Sequence, residues 1–314
     1  MQFRATPAAA GVFVLSAALL AGCAAPQISS LVERRPPGLA ARAEIAAAPF
    51  FPQEAYQCGP ASLAAALVYA GREATPESLL PQVFLPGRKG SLQAEMLATT
   101  RRHRLVAYPL APSLEDLLRE IAAGSPVVVL QNLALSWVPQ WHYAVAIGYD
   151  LDAREIVLRS GVTRRETMSL DTFEHTWARS GHWAMLALPA DRLPVTATEA
   201  SFIAALAALE RVAPAEAHTG YARALARWPG SASAQIGLGN ASYAMRDLPG
   251  AAAAYLRATF DHPASADAWN NLAQALHELG SRDEALAAAR RAVALGGARL
   301  QTYRETLEGI LRQP

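Results

Sequence analysis

"FPQEAYQCGPASLAAALVYAG", residues 51–71, sets a cysteine immediately before a run of apolar helix formers. Gly59 and Pro60 follow Cys58, and a proline is tolerated in a first helical turn because its missing N–H has no partner there in any case. Cys58 is thus predicted at a helix N-terminus, where the helix dipole and free N–H groups favour a thiolate and lower its pKa. Gln53, five residues upstream, carries an amide able to reach back to the same point. Together with the Cys58 backbone N–H it would form an oxyanion hole.

The second cysteine sharpens the first. At the N-terminus, Arg4 precedes the apolar run "AAAGVFVLSAALLAG", and then comes Cys23. This is a targeting segment of signal-peptide length, too short for a bilayer span. Leu20-Ala21-Gly22-Cys23 resembles the lipobox of bacterial lipoproteins, in which the cysteine becomes the acylated first residue of the mature chain. Ala24 rather than an aspartate follows, which by the same resemblance implies the outer membrane, facing the periplasm. With Cys23 committed to lipid, Cys58 is a lone thiol in an oxidising compartment, where an unpaired cysteine is kept buried or put to work.

Composition is that of a globular chain of two domains: 314 residues, 52% hydrophobic and 18% charged. The net charge of +1 gives no electrostatic reason to expect a nucleic-acid partner. Residues 1–23 are read as signal peptide with lipobox and 24–45, with Pro26, Ser29, Ser30, Pro36 and Pro37, as a tether. Residues 46–190 carry helix signals at 60–71, 91–104 and 113–124, the first and last closed by Gly71 and Gly124. Strands follow at "PVVVLQN" (126–132), "HYAVAIGYD" (142–150), "EIVLRSG" (155–161) and "HWAMLALP" (182–189). Helices first and a hairpin-rich sheet afterwards predict an α+β domain.

A thiol nucleophile needs a base. Of seven histidines, His142 opens a strand directly after an aromatic loop, "LSWVPQW". If the hairpin between 142–150 and 155–161 turns near 151–152, His142 lies opposite Gly161, and Ser160 is the nearest side chain able to hydrogen-bond it. Asp150 and Asp152 sit at the turn, several residues of strand away from His142, and cannot orient it.

"PQEAYQCGPASLAAAL", "GSPVVVL" and "HYAVAIGYD", in that order, resemble the papain-like cysteine peptidases of the bacteriocin-processing (double-glycine leader) type, over roughly residues 48–188. The resemblance implies that Gln53 completes the oxyanion hole, Cys58 attacks the carbonyl and His142 shuttles the proton. Two positions depart from the family. Its glutamine sits six residues before the cysteine rather than five, and its His-orienting Asp, in an Asp-Pro pair, is replaced here by Leu158-Arg159-Ser160-Gly161.

Residues 191–197 read as a linker, and 198–314 as tetratricopeptide repeats with a capping helix at "RLQTYRETLEGILRQ". Ala217, Ala251 and Ala285 recur every 34 residues, as do Ala224, Ala258 and Ala292. Tyr221 pairs with Tyr255, Pro229 with Pro263, and Leu238 with Leu272. Three repeats are expected, the first degenerate. Such arrays hold a peptide or protein in a concave face. The expected function is a lipid-anchored cysteine peptidase acting on a peptide or protein substrate, with a protein partner in the repeat groove and the membrane reached through the lipid. The alternatives are a non-catalytic assembly lipoprotein on a papain-like shell, or a thiol-dependent acyl or amide transferase. No cofactor is expected, and no metal, since the His, Asp and Glu residues show no ligand spacing.

Overall fold

The structure, a computed structural model, describes residues 26–53 and 57–312. The signal peptide and Cys23 lie outside the described residues. Among the described residues no helix is long and apolar enough to cross a membrane.

The first unit is a seven-stranded antiparallel sheet with helices packed on it. Its centre is β5 (Val127–Asn132) against β6 (Trp141–Asp150), followed by β7 (Glu155–Ser160) and β8 (Thr163–Ser169). On the other side of β5 come β9 (Ala184–Leu188) and β4 (Val106–Pro109). β5 is buried throughout, as its unbroken Val-Val-Val-Leu run requires. β6 is longer than β5, and its far end is paired by β1 (Arg42–Glu44). Gly148 is needed there, because a Cβ would lie 2.9 Å from the Ala43 carbonyl.

Helix α1 (Pro26–Glu33) and β1 correct the tether expected over 24–45. Its prolines break periodicity without preventing burial: Ile28 and Leu31, spaced for one helix face, are 0% and 4% exposed in the core. α2 (Cys58–Tyr69) is the apolar helix read at 60–71, with Gly71 left-handed after it (φ +81°). α3 (Pro76–Val83) opens on a Thr75/Ser78 capping box. The short hairpin β2 (Phe84–Leu85) and β3 (Gly90–Ser91) leads into α4 (Gln93–Arg102). α5 (Leu114–Ala122) follows β4, and α6 (Leu170–Ala178), capped by Ser169, follows β8.

The repeats are three helix pairs and a cap: α7 (Glu199–Glu210) with α8 (Pro214–Arg227), α9 (Ala232–Ala244) with α10 (Leu248–Asp261), α11 (Ala266–Glu278) with α12 (Arg282–Leu295), then α13 (Leu300–Arg312). The in-register alanines 217, 251, 285, 224, 258 and 292 are all 0% exposed, where small side chains let helices approach. Gly239 goes further, since a Cβ would stand 2.4 Å from the Tyr255 ring, itself held by a 2.8 Å bond from its hydroxyl to Asn240. Gly239→Ala should therefore destabilise by about 1–3 kcal/mol of overpacking despite alanine's better helix propensity. Gly309→Ala in α13, where nothing lies within 4 Å, should instead stabilise by about 0.5–1 kcal/mol. Thermal melts compare them, and a Gly239→Ala protein melting at or above wild type would contradict the packing argument.

The segment 191–197, read as a linker, is bound to the first unit. Thr196 donates both its N–H and its hydroxyl to Glu120 Oε1 at 2.8 and 2.7 Å, and burial pushes the Glu120 carboxyl above its usual pKa. Arg192 donates to the carbonyls of Ala123 and Gly124. Across the seam Tyr108 and Ser201 share a 2.8 Å hydrogen bond, and Arg104 pairs with Glu216. One hydrophobic cluster runs from Ile28 through Phe202 and Tyr221 to Ala241, and a second spans Ala251 to Ile310. The core thus continues across 191–197 into α8 and α9 without a break, and α9 also packs on the second cluster through Ile236 and Tyr243.

Candidate active site

The start of α2, the opening of β6 and the β2–β3 hairpin converge on one cleft of about 910 Å³. Gln53, Cys58, Ser91, His142, Tyr143 and Gly161 are among its lining residues. Cys58 is the first residue of α2, as the Cys-Gly-Pro signal predicts. Gly59 lets β3 close against it: a Cβ there would fall 2.3 Å from Ser91 Oγ.

His142 stands at the second position of β6, and its Nε2 is 2.9 Å from Ser160 Oγ. The β6–β7 register that makes this contact is irregular between Ala146 and Gly148, and the β7–β8 register between Leu158 and Ser160. Ser160 is 7% exposed, whereas its chain neighbour Arg159 reaches elsewhere, donating to the carbonyls of Ala46, Ala48 and Arg164. Asp150 is spent on the N–H groups of Asp152 and Ala153 at the hairpin turn, and Asp152 on Arg35.

Gln53 is fastened to the same strand end, its backbone N–H donating to Gly161 at 2.9 Å. Its side-chain Nε2 donates to Ser62 Oγ and the Tyr143 carbonyl, both at 3.4 Å, and its Oε1 is buried without a partner. Such long contacts leave the amide able to turn toward a ligand in the cleft.

The electrostatics correct one expectation. Burial pushes the Cys58 thiol above its ordinary pKa, and the N–H groups of Tyr143, Gly59 and Cys58 itself act the other way without outweighing it. Burial likewise holds His142 below the usual imidazole value, with Glu166 on β8, beyond β7, opposing it. The helix terminus does not produce a resting thiolate, because desolvation of a partly buried sulfur is the larger effect. Both shifts favour the uncharged forms, thiol and imidazole.

Sequence reasoning missed the hairpin that brings Arg88, Lys89, Ser91 and Leu92 to the cleft, although "PGRKG" is a turn signal. It also missed Arg179 and Ser180, which follow α6. Among the described residues no group of three or more His, Cys, Asp or Glu is placed to hold a metal.

A cysteine at a helix start, sharing a cleft with a histidine on a central antiparallel strand, fits an α+β, papain-like domain. More narrowly, residues 45–185 match the model of the Peptidase_C39 like family, and residues 204–259 and 236–299 match a tetratricopeptide repeat model. The chain thus carries a C39-like peptidase domain followed by tetratricopeptide repeats. A solved structure from Bacillus anthracis, described as a C39-like peptidase, aligns at 20% identity and TM-score 0.41, covering 47% of this chain and 97% of its own. No curated protein matches the chain.

Proposed function

We propose that the protein is a cysteine peptidase of the bacterial envelope, anchored by acylated Cys23 in the outer membrane facing the periplasm, whose repeats hold a protein substrate or partner. The observation that carries the catalytic reading is the His142–Ser160 contact in a cleft shared with Cys58 and Gln53. With Nε2 engaged by Ser160, Nδ1 is the nitrogen left to take the thiol proton. Cys58 Sγ then attacks the peptide carbonyl, and Gln53 with the Cys58 N–H receives the oxyanion. His142 returns the proton to the leaving amine, a thioester remains, and water activated by the same imidazole hydrolyses it.

A second reading, a non-hydrolytic binding lipoprotein, is favoured by the raised Cys58 thiol and the uncharged residue at 160. Peptide cleavage and iodoacetamide labelling separate the two. The peptidase should release fragments that disappear in Cys58→Ala. Its alkylation rate should climb steadily with pH beyond neutrality, because a raised pKa leaves little thiolate below it. A plateau already reached by pH 6 would contradict the resting thiol, and native protection at every pH with no Cys58-dependent fragments would leave the binding reading standing.

A further inference from the structure

Between β5 and β6 the chain makes a compact loop, residues 133–140, with its apolar side chains turned outward. Its base is pinned: Asn132, 2% exposed, accepts from the N–H groups of Ala134 and Gln140 at 3.1 and 2.9 Å, and Leu133 N–H bonds Gln140. Its tip is a turn closed by Val138 N–H on the Leu135 carbonyl. On this ordered backbone Leu135 is 51%, Trp137 78% and Val138 65% exposed. None of the three lines the cleft, so a substrate seated there does not cover them. From Val127 to Tyr149 the sequence carries no Lys, Arg, Asp or Glu, while the cleft mouth presents Arg88, Lys89 and Arg179 and no carboxylate.

One short turn connects this loop to the chain's N-terminus. Arg179 donates to the carbonyls of Asn132 and Ala134 at 3.2 and 2.9 Å. Three residues on, His182 Nε2 lies 3.3 Å from Gln27 Nε2, and Gln27 is further fixed by the Leu114 N–H at 2.7 Å. Cys23 is four residues from Gln27, a reach of at most about 14 Å. A lipid on Cys23 therefore holds the Arg179–His182 turn, and with it the loop, close to the bilayer.

We propose that residues 133–140 are a membrane-docking loop: Leu135, Trp137 and Val138 enter the bilayer interface, Arg88 and Lys89 lie against anionic headgroups, and the cleft opens at the lipid surface. Tryptophan and leucine on a rigid turn beside cations suit that boundary, where an apolar body and a wet rim are both accommodated. The substrates of the proposed peptidase are then polypeptide segments presented at the membrane. The membrane assignment rests on the acylation of Cys23 proposed above, but the docking itself is measurable without the lipid.

The test uses the mature chain without its acyl group, residues 24–314, sedimented with vesicles of phosphatidylethanolamine and phosphatidylglycerol. Leu135→Ser with Trp137→Ser should weaken vesicle binding by about tenfold per side chain, and brominated lipid should quench wild-type fluorescence more than that of Trp137→Phe. Arg88→Glu with Lys89→Glu should weaken binding to the anionic vesicles and leave purely zwitterionic ones unaffected. Cys58→Ala should bind as wild type, so failure of the peptidase reading and failure of docking register separately. Equal binding by the loop variant overturns the proposal. So does lost turnover on a soluble peptide with vesicle binding intact, which makes the loop a cleft wall. A dimer that the same substitutions dissociate, with no vesicle binding, overturns it in favour of a second copy of the chain.

Discussion

His142→Ala should reduce peptide turnover by about 10²–10⁴, the range of a positioned general base, and substitutions at Ser160 should move the same rate in both directions. Burial raises Cys58 and lowers His142, so in the proposed mechanism the pair begins uncharged and the imidazolium appears only as sulfur attacks. A group hydrogen-bonded to the ring therefore acts in the transition state. Losing the 2.9 Å Ser160 contact in Ser160→Ala removes a bond to a charged ring, about 1.5–3 kcal/mol or roughly 10–100-fold in kcat. Ser160→Asp adds a carboxylate that stabilises the imidazolium and should raise kcat. It also raises the His142 pKa. Because the base must be neutral to accept the proton, the acid limb of the pH profile should move to higher pH. Movement of the basic limb instead would mean a resting thiolate–imidazolium pair, and an unchanged profile would mean that Ser160 does not orient the ring.

The second large effect concerns where the chain can be cut. A chain of residues 24–190, ending before the repeats, should not form a cooperative fold, whereas 24–246 should. Phe202, Leu206 and Leu209 of α7 are each 0% exposed within the cluster that contains the sheet. Burial of three such side chains is worth about 5–9 kcal/mol together, comparable with a whole domain's net stability of about 5–15 kcal/mol. Cutting at 190 also strips Thr196 from Glu120, leaving a buried carboxyl without its donors. Cutting at 246 keeps every residue of the first cluster, Ala234 and Ala241 included, and uncovers only the α9 side chains packed on the second, Ile236 and Tyr243 among them. Near-ultraviolet dichroism and thermal melts would decide. A 24–190 protein that melts cooperatively within a few degrees of the full chain would show that the seam is dispensable.

What the sequence disclosed and what it hid divide along one physical line. Cys58 at a helix start follows from Cys-Gly-Pro and the apolar run, which is local arithmetic. The hairpin count names Ser160 but misses the register: it sets His142 opposite Gly161, while Val145 pairs with Arg159, one residue further on, and Ser160 meets His142 diagonally. The repeats were legible because a 34-residue period restates itself. The rest depends on distant neighbours. No local pattern shows that Thr196 meets Glu120, or that Pro26–Glu33 has a hydrophobic seat waiting for Ile28. β8, "TRRETMS", is largely exposed and lacks the apolar alternation of a half-buried strand. The direction of the Cys58 shift is hidden from the sequence for the same reason, since the dipole is local and the desolvation that exceeds it comes from the whole fold.

The end of β7 ties two jobs to adjacent residues. Ser160 faces the imidazole, while Arg159, pointing the other way, clamps the carbonyls of Ala46 and Ala48 on the strand of chain that leads to Gln53. Alternation makes these roles exclusive, so a shift by one residue would exchange them. A guanidinium would then face a ring that must become positive, and two carbonyls would lose their donor. Evolution can therefore vary the identity of residue 160 far more freely than the length of the 151–154 turn. Related chains that differ in the acid or hydroxyl at this place should still keep the spacing from histidine to orienting residue, and an insertion there should be found only with a compensating bulge.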